Sequence, residues 1–159
     1  YSQVRQLFID IYYSLLLPEL VKSKDDTLAA IAAKAIKETR YHLRRSRDWV
    51  LRLGDGTEES HRRMQDAVDI LWRFTGELIT PDDTDRVMAE AGIGPDPDQL
   101  TKDWRGMVNE VLTQATLTPG AEDAWMYMGG KHGEHTEHLG FILAEMQFLQ
   151  RAYPDATTW

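Results

Sequence analysis

Cysteine is absent from the 159-residue chain, which excludes disulfide frameworks, thiolate zinc sites, iron-sulfur clusters and cysteine nucleophiles. A cysteine-free chain fits a reducing cytoplasm, the expected location. No apolar run approaches the ~20 residues of a membrane span, and no basic-then-apolar leader opens the chain, so no membrane partner is expected. Basic charge is scarce as well: 18 Lys and Arg against 26 Asp and Glu give a net charge of -8, a poor balance for wrapping a phosphate backbone, so no nucleic-acid partner is expected. Gly54-Asp55-Gly56 lacks the spacing of a phosphate-binding loop and follows no strand pattern, and no Gly-x-Ser-x-Gly is present. An internal repeat of 20 to 50 residues is also missing. The chain opens on Tyr1 rather than an initiator Met and does so inside a helical pattern, so its natural beginning is expected to lie further upstream.

What is present is enough to fold. Hydrophobic residues make up 42% and charged residues 28%, with 11 Gly and 6 Pro, which excludes a disordered or low-complexity chain and leaves one domain as the expectation. Breaker clusters divide the sequence into helical lengths with no period-2 strand pattern, so the class is all-α. A first helix is expected over residues 2–22, with Pro18 kinking it or ending it early. A second runs over 27–53 to a stop at Gly54, long enough for a helical bundle. Thr57 is the expected N-cap of a third helix reaching about Leu78. Thr80-Pro81 opens a fourth to about Ala91, Pro97 a fifth to about Leu112, and the last spans about 134–153 after the irregular stretch 128–133. Short connections make neighbouring helices antiparallel. Helical periodicity predicts that Ile31, Leu43, Trp49, Leu71, Phe74, Leu139, Ile142, Met146 and Leu149 are buried.

An all-α bundle invites a test for a carboxylate-bridged di-iron site, which needs a Glu from each of two helices and a Glu-x-x-His pair from each of two others. Only Glu58 and His61 have that spacing, and they fall in the first turn of the third helix, where acidic residues favour the helix dipole and are usually exposed. Glu38 and His42 share a side of the second helix with Ile31, Ala35, Trp49 and Leu53. They form either a metal or proton-transfer pair or, as the favoured reading, a buried polar layer satisfied by partners from facing helices. His132, His135 and His138 are spaced by three, but Gly133 interrupts the helix at the first of them, so a structural role is favoured over a zinc triad. Charge is locally basic from Lys22 to Arg52, nine basic residues against four acidic. Within it Lys37, Arg40, Arg44 and Arg47 form a stripe read as a solvated face, with a dock for an acidic subunit or a phosphate-bearing substrate as the alternative.

Ile31-Ala-Ala-Lys-Ala-Ile-Lys-Glu-Thr-Arg-Tyr-His-Leu-Arg44, Arg47-Asp48-Trp49 and Leu71-Trp72-Arg73-Phe74-Thr75-Gly76-Glu77-Leu78 resemble the phenylacetate-degradation protein C family, the C subunits of ring-1,2-phenylacetyl-CoA epoxidases. So do Gly129-Gly130-Lys131, His135-Thr-Glu-His-Leu-Gly140 and Leu143-Ala-Glu-Met-Gln147. The similarity covers essentially the whole chain, with an N-terminal region of the family lacking. It implies a single ferritin-like antiparallel helical bundle over residues 1–159. It also implies a noncatalytic structural subunit with no cofactor of its own, paired with a catalytic A subunit that holds di-iron and joined by further subunits. The assembled complex would epoxidise the aromatic ring of phenylacetyl-CoA with O2 in aerobic phenylacetate catabolism. Glu38, His42, His135 and His138 would then be remnants of a degenerate site. The alternative is a ferritin-like oxidase that binds metal through those four residues. With a bundle helix lacking, an apolar groove beside the first and second helices is expected to promote self-association.

Overall fold

The computed structural model describes residues 1–157. Among them the chain is all-α with no strand, and the bundle is ferritin-like. It divides into two compact units, Tyr1–Tyr127 and Met128–Trp159.

In the first unit, α1 (Ser2–Leu20) buries Val4, Leu7, Phe8 and Ile11, the three- and four-residue spacing of one helix face. Pro18 does not end the helix early, because the helix continues to Leu20. A proline in the final turn forfeits one backbone donor, and the turn closes beyond it through Val21 N–H donating to Leu17 O at 3.1 Å. A short turn returns the chain into α2 (Asp26–Gly54), antiparallel to α1. Asp25 caps α2, its carboxylate accepting from the backbone N–H of Thr27 and Leu28, both at 2.9 Å.

Thr57 caps α3 (Glu58–Trp72) by accepting from Ser60 N–H at 3.2 Å. The expected continuation to Leu78 fails at residues 73–75. Buried Thr75 donates its hydroxyl to Trp72 O at 2.8 Å, a local bond that competes with the helix ladder, and Gly76 follows with low helix propensity. The chain restarts as α4 (Gly76–Ile79). The next helix, α5 (Asp83–Glu90), starts two residues later than Pro81, because Asp82 and Asp85 form a reciprocal capping box. Pro97 stands in the first turn of α6 (Pro97–Gln114), which Asp96 caps.

The core lies where α1, α2, α3 and α6 meet. Phe8, Trp72 and Trp104 form a mutually contacting aromatic group with ring centroids 5.8 to 6.1 Å apart. Both buried indole N–H groups find carbonyls: Trp104 donates to Phe8 O at 2.9 Å and Trp72 to Ala121 O at 3.1 Å. α2 contributes to this core through small residues. Its buried positions are Ala32, Ser46, Val50 and Gly54, and a Cβ on Gly54 would lie 2.3 Å from Ala115 O.

That choice of face overturns part of the expected core. The stripe carrying Ile31 and Trp49 lies about one residue, or 100°, away from the packed one. Ile31 is 59% exposed, and Trp49 and Phe74 are exposed too, whereas Leu43 and Leu71 are half-buried against the core. Phe74 instead stacks its ring on Tyr127 at 4.9 Å.

In the second unit a 3₁₀ turn, Gly130–His132, is bounded by Gly129 and Gly133 at φ 110° and 88°, values that favour glycine. Glu134 N–H bonds Gly129 O at 2.9 Å, holding Glu134 in the turn, so helix begins at Glu137 rather than Glu134. α7 (Glu137–Met146) and α8 (Phe148–Ala152) replace the single expected helix, with the break at Gln147. Ile142, Met146 and Leu149, expected to be buried, are exposed, and Leu139 is half-buried.

Candidate functional site

Glu38 and His42 lie in the middle of α2 on the exposed side, not in a buried polar layer. Packing through Ala32, Ser46 and Val50 turns them outward, so solvent replaces the expected partners. Glu38 makes no hydrogen bond or ion pair among the described residues, and His42 only sets its ring against Tyr41 at 6.0 Å. His135 and His138 are exposed residues of the second unit. Glu58 is exposed in the first turn of α3, whereas half-buried His61 places Nδ1 2.8 Å from Gly54 O and so ties α3 to the end of α2. Among the described residues no three His, Asp or Glu side chains come together as a metal-holding group.

The basic stripe divides in two. Lys37, Arg40 and Arg44 are exposed, with the Arg44 guanidinium 6.0 Å from the centre of the Tyr41 ring. Arg47 is half-buried and turned toward α6, where it donates to Gln114 Oε1 at 2.8 Å and lies 3.9 Å from Glu110. It therefore fastens two bundle helices, leaving three residues as the free basic face.

Geometry adds a residue that sequence reasoning missed. Asp10, in the middle of α1, is 3% exposed. Its Oδ1 accepts from Gln6 Nε2 at 2.7 Å, and the Gln6 carbonyl oxygen in turn accepts from the Arg5 guanidinium at 3.1 Å. Its Oδ2 is buried without any hydrogen-bond partner. A buried acceptor left unpaired is unfavourable by about 1–3 kcal/mol, and more for a charged group. Asp10 also lines a cleft of about 340 Å³ between α1 and α2, together with Arg5, Gln6, His42, Arg45 and Ser46. The available signal was a single carboxylate between Ile9 and Ile11 in an apolar helix, a position that demands a partner when buried.

The cleft combines an acidic floor, an imidazole and two guanidinium groups at its walls. Asp10 and His42 are two metal-type donors where a di-iron pair needs six, and Arg5 and Arg45 place positive charge beside them. These residues do not fit a di-iron centre. Exposed Arg5 and Arg45 offer hydrogen-bond donors along the cleft, while Asp10 Oδ2 is closed to solvent. No helix among the described residues is long and apolar enough to cross a membrane.

Comparison with known proteins is direct on two counts. The model of the phenylacetic acid catabolic protein family matches residues 1–159. The chain is also 51% identical over 150 residues to the C subunit of 1,2-phenylacetyl-CoA epoxidase from Escherichia coli (strain K12). The alignment takes in 94% of this chain and 60% of that relative, so the chain spans less than two thirds of the relative's length.

Proposed function

The chain belongs to the phenylacetic acid catabolic protein family, and from that membership we propose that it acts as a structural, noncatalytic subunit of a cytoplasmic multicomponent monooxygenase that epoxidises the ring of phenylacetyl-CoA. The carrying observation is its 51% identity to a protein named as the C subunit of that epoxidase. Its role is to pair with a di-iron catalytic subunit and hold it in the assembled complex, while oxygen chemistry stays on the partner. The exposed positions of Glu38 and His42 on α2 and the poor fit of the Asp10 cleft to a metal pair support this division of labour.

A subunit with that role needs a rigid frame and uncovered surface. The Phe8, Trp72 and Trp104 core supplies the frame. Ile142, Met146 and Leu149 supply exposed apolar area of the kind that obligate interfaces use. Lys37, Arg40 and Arg44 form an exposed cationic strip that would steer an acidic partner.

The test is coexpression of the family-length chain with the catalytic subunit. The expected result is copurification on size exclusion, iron bound to the partner, and epoxidation only by the assembled subunits. Stoichiometric iron on the purified chain alone, or failure to associate, would overturn the proposal. Reversing Arg40 and Arg44 to Glu separates the basic face from the rest: a salt-dependent loss of affinity places it at the contact, and unchanged affinity leaves it solvated.

A further inference from the structure

Residues 117–127 lead from α6 to the second unit without a helix of their own. The run begins at a strained residue. Thr116 has φ 61°, and among the described residues no other non-glycine has positive φ. It stands where the chain reverses after α6, with its N–H on Thr113 O at 3.0 Å and Leu117 N–H on Leu112 O at 2.9 Å. Glycine is the usual residue at that position, and a β-branched side chain is disfavoured in its conformation. What threonine supplies there is a hydroxyl. It donates to Gly54 O at 3.2 Å, and the His61 ring approaches the same carbonyl with Nδ1 at 2.8 Å. A carbonyl only accepts, so His61 carries a proton on Nδ1. The last carbonyl of α2 is thus capped by α3 and by the end of α6.

Beyond Thr116 the fastenings follow α3 toward its C-terminus. Gln65 and the Thr118 backbone exchange two hydrogen bonds, Thr118 N–H on Gln65 Oε1 at 2.9 Å and Gln65 Nε2 on Thr118 O at 3.0 Å. Gly120 lies so close to the Trp72 ring that a Cβ there would overlap it, and the Trp72 indole bonds Ala121 O. Ala124 and Met126 pack on the core, and Tyr127 N–H reaches Arg73 O at 2.8 Å. None of these fastenings belongs to a helix or sheet ladder, so the run lacks the cooperative backbone bonding of the helices beneath it. Met128, the first residue of the second unit, follows the last of them.

We infer that residues 117–127 form a strap that opens and closes as one piece, hinged at Thr116. The strained backbone of Thr116 loosens the closed state, and its hydroxyl on Gly54 O holds it. Opening uncovers Trp72 while α1, α2 and α6 stay packed. It also frees the chain up to Met128, eleven residues that extend to at most about 40 Å. The second unit thereby gains reach toward whatever it docks on, and the inference does not depend on the identity of that partner.

The experiment is native-state hydrogen exchange on the family-length chain, read at the Thr118 and Tyr127 amides, with the buried Val108 of α6 as reference. Thr116→Val keeps the β-branch and loses the hydroxyl. Exchange at Thr118 and Tyr127 should rise together by about 3- to 10-fold while Val108 is unchanged. Gln65→Met, which breaks the pair at Thr118, should raise exchange at Tyr127 as well. Thr116→Gly and Thr116→Ala both lack the hydroxyl, and only alanine is strained at φ 61°, so opening should be about 3-fold slower to show in the glycine variant. A rise confined to Thr118 would overturn the strap and leave fraying beside the substitution. So would an equal rise at Val108, which marks global unfolding, or equal exchange in the glycine and alanine variants, which removes the strained hinge.

Discussion

Trp104 on α6 and Leu149 on α8 belong to segments with the same helical spacing of apolar residues, yet Trp104 is fully buried and Leu149 is 52% exposed. In the first unit the spacing meets opposing faces: Trp104, Val108, Val111 and Leu112 of α6 join Leu7, Phe8 and Ile11 of α1 in one buried cluster. In the second unit Phe141, Ile142, Met146 and Phe148 are all exposed. Periodicity identifies which side of a helix is apolar. Whether that side is covered depends on what else packs there, which the helix's own sequence does not state.

The largest effect expected from this contrast is at the covered end. Trp104→Ala removes an indole with no exposed area, its hydrogen bond to Phe8 O and its contacts with two other aromatic rings. It should lower stability by about 3–5 kcal/mol in urea unfolding followed by the loss of helical signal. A change below about 1 kcal/mol would mean that the core is not organised around this residue. Next in size is Gly54→Val, which forces a branched side chain into the backbone of Ala115. Overpacking of this kind should be destabilising by about 1–3 kcal/mol or more, and Gly54→Ala should fall between Val and wild type.

The comparison is sharpest with Leu149→Ala. Full burial would make this substitution as damaging as a core truncation, about 2–5 kcal/mol. At 52% exposure the effect in the chain alone should stay within about 0.5 kcal/mol of zero. On the proposed function, its larger consequence should appear as weakened association with the catalytic subunit. A multi-kcal/mol loss in the chain alone would erase the distinction between the two units.

These outcomes also locate what the sequence could carry. Helix class, the Thr57 cap and the Pro97 start are local chemistry, and they are legible because the residues that decide them sit next to one another. The end of α3 is less so, since it depends on the Thr75 hydroxyl choosing the Trp72 carbonyl. The face of α2 could not be read locally at all. Ile31 and Trp49 are the larger apolar residues, but close approach of α1 and α6 selects Ala32, Ser46 and Gly54. That rotation carries Glu38 and His42 to the surface and makes Asp10, on another helix, the buried carboxylate. Asp10 and His42 stand 32 positions apart in the chain, so only folding shows that they line one cleft. Arg47 separates from Lys37, Arg40 and Arg44 for a similar reason: Gln114, 67 positions away, is its partner.

The smallest effect belongs to the solvent-facing side of the first unit. Glu59, in the first turn of α3, accepts from Arg62 at 2.8 Å and from Arg63 at 2.6 Å. These hydrogen bonds hold its carboxyl below the ordinary carboxylate value, and the same contact raises the Arg62 guanidinium. A carboxyl whose folded pKa is depressed favours the folded state fully above its unfolded pKa. That contribution fades as pH falls through the folded value, while both arginines stay charged throughout. The difference in unfolding midpoint between wild type and Glu59→Gln should therefore be present near neutral pH and vanish below the carboxylate range. Added salt should shrink it, because every group in the cluster is exposed. Among the described residues Glu137 opens α7 with no arginine bonded to it, so Glu137→Gln isolates the helix-dipole part in the second unit. Thermal melts of wild type and both variants from neutral to acidic pH provide the check. A Glu59 difference that widened on acidification, or matched that of Glu137 at every salt concentration, would remove the arginine pair from the account and leave only the dipole.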